Sequence, residues 1–172
     1  DIAEHGIAVF DAHRQLFIPK VSLPDGHRLH PTGQALQTGG YVYFANPFPV
    51  MRVPASLGAA LDPTRYEGLV CRDGTCTWQR GEAPDYPPQV LDAGSGAAIE
   101  LHAGSVRWNP HRARWIMIAN RRNAPESRLG EVYYAEAPRL EGPWVRAIKV
   151  ATHTGYSFYN PVHHDFFDQN GG

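Results

Sequence analysis

The sequence predicts an all-β protein, and three features of its composition and pattern indicate this class. Proline and glycine are frequent, with 15 and 17 of 172 residues, so turns are common. Aromatic residues make up 11% of the chain and fall with β-branched residues in short runs between turn signals. There is little of the alanine and leucine periodicity that marks helices. This combination is typical of all-β folds.

The strands are predicted from these runs in the order of the chain. They are residues 7–10, 34–37, 41–46, 67–71, 75–80, 104–108, 114–120, 131–136, 144–150 and 162–167. Hairpins are expected around Gly39-Gly40, Asp73-Gly74 and residues 109–113, since tight turns need residues that tolerate positive φ. A single short helix is expected near residues 55–61.

The last seventeen residues, YSFYNPVHHDFFDQNGG, end on a hairpin signal without a following strand. Asn170-Gly171 favours a two-residue primed turn, and the strand predicted before it expects an antiparallel partner. A frayed terminus is one interpretation. We favour the other, that this chain is part of a longer one, because a strand also begins almost at once at Ile7.

The strands group into two successive units of four, flanked by incomplete ones. Four-stranded units in series are typical of propeller blades, whereas a β-sandwich is the alternative that strand spacing alone allows. The predicted organisation is a single partial propeller domain. It comprises an incomplete blade at 1–30, a blade at 31–80, a linker at 81–101, a blade at 102–150 and the start of the next blade at 156–172.

Charge and hydropathy exclude several classes of partner. The formal net charge of −1 shows no basic excess for nucleic acid, and no apolar run reaches the roughly 18 residues of a membrane span. The first residues, DIAEHGIAVF, lack the features of a signal peptide.

The two cysteines flank the predicted turn at Asp73-Gly74. In that register Cys71 faces Cys76 on the neighbouring strand, with α-carbons within about 6 Å. A cross-strand disulfide and two reduced, half-buried thiols are equally compatible with this arrangement. A disulfide would indicate an oxidising compartment.

Two segments carry a resemblance to a known family. GEVYYAEAPRLEGPWVRAIKV resembles the outer strands, and GSVRWNPHRARWIMIA the inner hairpin, of a blade in five-bladed glycoside hydrolase propellers of the family 43 and family 32 type. The likeness covers residues 100–172 best, and the whole is similar to uncharacterised bacterial proteins of this type. It implies a five-bladed propeller of which this chain holds about three blades, so that further blades belong to a longer chain.

The resemblance also implies catalytic carboxylates at the inner strands. Glycoside cleavage needs two carboxyl groups roughly 5 to 9.5 Å apart. Glu4 stands near the place of the family's base, and Glu100 is the next carboxylate close to an inner strand. The family's Asp-Pro is here Asn160-Pro161, and an amide cannot take a proton. Glu4 as a solvated terminal residue is the alternative, and Glu131 and Glu136 are expected at the surface.

The starts of the inner strands carry polar residues that are expected to line a shared channel and to orient a sugar. These candidate substrate-binding residues are His30, His102, Ser105, Arg107, Asn160 and His164. Arg107 would clamp an anion or carboxylate, or brace a neighbouring blade. In a strand, alternation would place His164 rather than His163 on the side of Asn160.

No spacing of ligands indicates a catalytic metal, and no cofactor is expected, although the channel leaves room for a structural cation. The predicted function is that of a glycoside hydrolase-like protein that binds a glycan in the central channel and, if active, hydrolyses it. The alternative is a non-catalytic glycan-binding or scaffold propeller, which the missing Asp favours. The expected location is extracellular or periplasmic.

Overall fold

The computed structural model describes residues 4–86 and 90–167, which fall into two compact units. The first unit contains residues 4–44 and 50–86, and the second contains residues 45–49 and 90–167. Regular structure in these residues is almost entirely β-strand, which confirms the prediction of an all-β protein. Within the described ranges, none of the helices has the length and apolar content needed to span a bilayer.

The strands that lie wholly or almost wholly in the first unit are β1 (Glu4–Asp11), β2 (Leu16–Pro24), β3 (Gln34–Thr38), β4 (Tyr41–Ala45), β5 (Pro49–Pro54), β6 (Glu67–Arg72) and β7 (Thr75–Arg80). Between β5 and β6 lie the helix α1 (Leu57–Ala60), near its predicted place, and a 3₁₀ helix, Pro63–Arg65. β1 and β2 form an antiparallel hairpin, and β3 to β7 form a five-stranded sheet in sequence order. The predicted hairpins β3–β4 and β6–β7 are thus confirmed.

Apolar side chains on one side of these strands form the core of the first unit. Its buried members are Val21, Leu23, Leu29, Met51, Val53, Ala59 and Tyr66. Strand β2 alternates buried Val21 and Leu23 with exposed residues, as expected for a sheet with one covered face. Tyr66 is fully buried, and its hydroxyl donates to the carbonyl of Ala60 at 2.7 Å, so α1 is held to the sheet.

The β6–β7 hairpin has the predicted register. Asp73 and Gly74 both have positive φ, at 50° and 77°, and form the two-residue turn. Cys71 pairs directly with Cys76, with α-carbons 4.0 Å apart, and the two form a disulfide. The prediction of neighbouring cysteines is therefore confirmed.

The second unit contains β8 (Val90–Asp92), β9 (Ala98–Ile99), β10 (Leu101–Asn109), β11 (Arg114–Arg121), β12 (Glu131–Ala137) and β13 (Arg146–Thr152). They form one sheet in the order β10-β11-β12-β13-β8-β9. All pairs are antiparallel except β13 with β8. The predicted strands 104–108, 114–120, 131–136 and 144–150 correspond to β10 to β13.

The two faces of this sheet differ in composition. One face is lined by small or apolar buried residues, among them Val106, Met117, Ala135 and Ala147. The other is called the Tyr134 face here. The pairings of β10 to β13 place on it Ser105, Arg107, Ile116, Ile118, Tyr134, Glu136 and Ile148. This face brings polar and charged side chains together.

Residues 153–167 do not form the predicted strand. The segment after β13 is irregular and ends in a 3₁₀ helix, Asp165–Phe167. Side chains bind several of its backbone groups, and the N–H groups of His153 and Phe158 donate to the carbonyls of Gly130 and Leu129. Because residues 162–164 do not form a strand, the expected alternation of His163 and His164 does not apply. The turn predicted at Asn170-Gly171 lies outside the described residues.

Four strands were not predicted. β2 and β5 contain or are flanked by prolines, which in sequence favour loops. In the structure Pro19 lies beside a register shift of the β1–β2 ladder, and β5 begins and ends at a proline. β8 and β9 are only three and two residues long and lie in the segment predicted as a linker. These short strands depend on their partners rather than on a local pattern, since β8 pairs with β13 and β9 pairs with β8.

Candidate functional site

Two of the predicted site residues belong to the first unit. Glu4 is exposed at the start of β1 and accepts a hydrogen bond from the hydroxyl of Ser22. The ring of His30 is half-buried and stacks on the ring of His5, with centroids 4.2 Å apart and planes at 7°. Its Nδ1 lies 2.5 Å from the carbonyl oxygen of His27. The His30 ring is therefore fixed by neighbours on the same unit.

Glu100 and His102 meet at Arg122. The Nε of Arg122 lies 3.0 Å from the Glu100 carboxylate, whose side chain is 65% exposed. Another nitrogen of the same guanidinium lies 3.1 Å from Nδ1 of His102. Burial and the Arg122 charge lower the pKa of His102, so its ring is neutral at physiological pH and can accept this hydrogen bond.

Ser105 and Arg107 hold the segment after β13. The backbone N–H of His163 donates to the hydroxyl of Ser105 at 2.8 Å, and Nε of Arg107 donates to the carbonyl of His163 at 2.9 Å. Ser105 is fully buried. Both side chains therefore hold the backbone of His163 against the Tyr134 face.

Asn120 also binds the segment after β13, although it was not among the predicted site residues. It is fully buried, donates from Nδ2 to the carbonyl of Phe158 at 2.7 Å, and accepts from the N–H of Ala103 at 2.9 Å. The sequence signal for Asn120 is its polar side chain at the end of the apolar run of β11. A buried amide needs hydrogen-bond partners, so such a residue is expected to bind a neighbouring segment.

Asn160 and His164 lie in the irregular segment and are exposed. Asn160 has a φ of 47°, a left-handed conformation that asparagine tolerates. The ring of His164 packs against Phe166 at a centroid distance of 5.0 Å. Of the two adjacent histidines, His163 lines a cleft of the sheet.

The predicted residues therefore form small groups. Ser105 and Arg107 meet at His163, and Glu100 and His102 meet at Arg122. Glu4 and His30 belong to the other unit, so the channel shared by the six substrate-binding residues stays a prediction.

The Tyr134 face carries two adjoining clefts. The larger, of about 500 Å³, is lined by Ala93, Arg112, Tyr134, Ala135, Glu136, Val145, Arg146 and Ile148. The smaller, of about 320 Å³, is lined by Asn109, His111, Arg112, Ile116, Ile118, Tyr134 and His163. Arg112 and Tyr134 line both. Volumes of this size suit a small ligand or a few sugar units.

A hydrogen-bonded group lies where the two clefts meet. The carboxylate of Glu136 accepts hydrogen bonds from Nε of Arg112 and from the hydroxyl of Tyr134. The bond from Arg112 holds the pKa of Glu136 below its ordinary value. Burial and the bond to Glu136 raise the pKa of Tyr134 to about 12. At neutral pH Glu136 is therefore an anion and Tyr134 a neutral phenol.

Apolar side chains also line the larger cleft. Val145, directly before β13, and Ile148, within β13, are 53% and 57% exposed, high values for large aliphatic side chains. Arg146 stands between them in sequence and lines the same cleft. The larger cleft thus combines an apolar surface, a fixed anion and arginine side chains.

The expectation that Glu131 and Glu136 are simple surface residues is wrong. Glu131 is 7% exposed on the face opposite to Tyr134, and Glu136 is half-buried in the larger cleft. The residues of β12 are buried or half-buried on both faces of the strand, so neither glutamate is fully exposed to solvent. In the sequence EVYYAEA each glutamate stands two residues from a tyrosine, which places the glutamate and that tyrosine on the same face of a strand. This spacing was the sequence signal for both glutamates.

The described residues show no group of three or more His, Cys, Asp or Glu side chains that could hold a metal ion. No protein-family model matches the chain, and no curated protein matches its sequence. The resemblance to glycoside hydrolase propellers therefore stays an interpretation of two segments. The chemistry of the clefts is the remaining basis for inferring a function.

Proposed function

We propose that this protein binds a glycan in the two clefts of the Tyr134 face and does not cleave it. The observation that carries the proposal is the larger cleft, whose lining combines Glu136 and Tyr134 with the exposed aliphatic side chains of Val145 and Ile148. A sugar needs both kinds of surface, because its hydroxyls require hydrogen-bond partners and the C–H side of its ring requires an apolar contact.

The fixed geometry of the polar group favours such binding. Glu136 is held by Arg112 and Tyr134 before a ligand arrives, so less conformational entropy is lost on binding. Its ionised carboxylate can accept from a sugar hydroxyl, and hydrogen bonds to a charged group are stronger than neutral ones. Val145 and Ile148 would contact the apolar side of the ring.

Hydrolysis is the second candidate, and the carboxylates argue against it. Cleavage requires a carboxylic acid that is protonated at the working pH and a second carboxylate on the other side of the glycosidic bond. Glu136 is the only carboxylate among the described residues that line the two clefts, and its pKa is lowered. A carboxylate stabilised as an anion is a poor proton donor.

We further propose that the chain forms part of a five-bladed propeller in an extracellular or periplasmic protein. Strands β10 to β13 are consecutive, antiparallel neighbours, which is the arrangement of a blade. The Cys71–Cys76 disulfide supports an oxidising compartment. Blades outside this chain would complete the ring.

The test of glycan binding is calorimetry with xylotriose, arabinotriose and trigalacturonate, on the wild type and on Tyr134→Phe. We expect at least one trisaccharide to bind, and Tyr134→Phe to weaken that binding about three- to tenfold, the value of one hydrogen bond. Tyr159→Phe is the matched control, because Tyr159 is 83% exposed and does not line either cleft.

Reducing-end release is measured in the same samples to separate binding from cleavage. No release is expected. Release that Glu136→Gln abolishes would instead support a glycosidase, and failure of all three sugars to bind would overturn the proposal.

A further inference from the structure

We infer that the bound glycan is acidic and that Arg146 pairs with the carboxylate of a uronate residue in it. This inference rests on the proposed function and names its substrate class. It follows from the charges of the larger cleft, from the position of Arg146 and from the apolar surface beside it.

The described lining of the larger cleft contains two arginines and one glutamate. Arg112 already pairs with Glu136. Arg146 is exposed and makes no ion pair or side-chain hydrogen bond with any described residue. One positive charge is thus left over in the cleft, and an anionic ligand would neutralise it.

The strand register places Arg146 within reach of the same ligand as Glu136. Ala135 pairs with Ala147, and Tyr134 pairs with Ile148, on adjacent antiparallel strands. Arg146 therefore lies across from Glu136 on the Tyr134 face, one residue before Ala147. Neighbouring strands are about 4.8 Å apart, so one sugar residue can contact both side chains.

A uronate fits this arrangement better than a neutral sugar. Its ring carboxylate can accept two parallel hydrogen bonds from a guanidinium, while its ring hydroxyls can donate to Glu136. Repulsion between the ligand carboxylate and Glu136 is reduced, because Arg112 neutralises Glu136 and Arg114 adds a positive field. Val145 and Ile148 would remain in contact with the ring.

The experiment compares trigalacturonate with its fully methyl-esterified form, which has the same sugars without the charge. Calorimetry is carried out on the wild type and on Arg146→Gln at low and at high salt. We expect the wild type to bind the acid at least about tenfold more tightly than the ester, with an affinity that falls as salt rises.

Arg146→Gln should lose about tenfold in affinity for the acid and bind the ester as the wild type does. Arg139→Gln is the matched control, because Arg139 is exposed on the same unit and lines neither cleft. It should bind both sugars as the wild type does.

Equal affinity of the wild type for the acid and the ester would overturn this inference. So would unchanged binding of the acid by Arg146→Gln, or binding of neutral trisaccharides alone. In these cases glycan binding itself would stand. Failure of every sugar to bind would overturn the proposed function and this inference together.

Discussion

Three neighbouring side chains bind the carboxylate of Glu131. Its carboxylate accepts from Arg121 at 3.0 Å, from Lys149 at 2.9 Å and from the hydroxyl of Tyr133 at 3.1 Å. Burial raises the pKa of Glu131, but the hydrogen bonds from Lys149 and Arg121 outweigh this, and the pKa lies below its ordinary value. The ionised form is therefore the one that stabilises the fold.

Replacing Glu131 by Gln should lower the free energy of unfolding by about 1–3 kcal/mol at pH 7, because Arg121 and Lys149 lose a charged partner. The pKa of Glu131 is lower in the folded protein than its ordinary value of 4.5. Ionised Glu131 therefore stabilises the fold fully above pH 4.5, and this stabilisation is lost as the pH falls through the folded-state pKa. The difference between variant and wild type should thus shrink below about pH 4.5.

Urea unfolding from pH 3 to 8, followed by fluorescence, measures this difference. Glu126→Gln serves as the control, because Glu126 is exposed. A difference that stays constant with pH would show that the charge of Glu131 is not what stabilises the unit.

At the scale of elements, the β6–β7 hairpin depends on more than its own hydrogen bonds. A guanidinium–aromatic cluster covers one side of this part of the sheet. Arg52 lies 3.9 Å from the ring centre of Tyr41 and 4.4 Å from that of Trp78, and it pairs with Glu67 at 2.7 Å. The cluster fastens β4, β5, β6 and β7 to one another, and the disulfide then closes the far end of the hairpin.

The double substitution of Cys71 and Cys76 by Ser should destabilise the first unit by about 2 kcal/mol, since a short closed loop restricts the unfolded chain only modestly. Thermal unfolding in the presence and absence of dithiothreitol measures the effect. The reductant should lower the midpoint of the wild type and leave the double variant unchanged. An equal response of both proteins would contradict a disulfide between these cysteines.

At the scale of the whole molecule, low net charge is combined with exposed apolar side chains. The net charge is −1 and the isoelectric point about 6.8. Phe17 is 70% exposed, Ile148 57% and Val150 56%. Proteins near zero charge repel one another weakly, so apolar contacts between copies are not opposed near neutral pH.

Solubility should therefore be lowest near the isoelectric point of about 6.8 and higher near pH 5.5, where the net charge is positive. Light scattering over this pH range at constant ionic strength measures it, and circular dichroism confirms that the fold persists. Ile148→Glu should raise solubility at pH 7, because it takes the formal net charge from −1 to −2 and removes an exposed apolar group. Scattering that does not depend on pH would contradict the role of net charge.

Much of the local structure is determined by the sequence itself. The runs around residues 41–46 and 131–136 predict strands β4 and β12, and Asp73-Gly74 predicts both a turn and the facing of Cys71 and Cys76. These features are local, because a turn type and a period of two depend on a few neighbouring residues. The strand predicted at residues 162–167 is not formed. A strand needs a partner strand as well as a suitable local sequence, and this segment pairs with none among the described residues.

The candidate site was decided by tertiary structure. Glu136, Tyr134 and Arg112 come from β12 and from the turn before β11, and they meet only because Ile116 pairs with Glu136 across the two strands. Ser105 resembles a binding residue in sequence but is buried beneath His163. Which face of a strand is covered depends on contacts between residues far apart in the chain, and no local pattern contains that information.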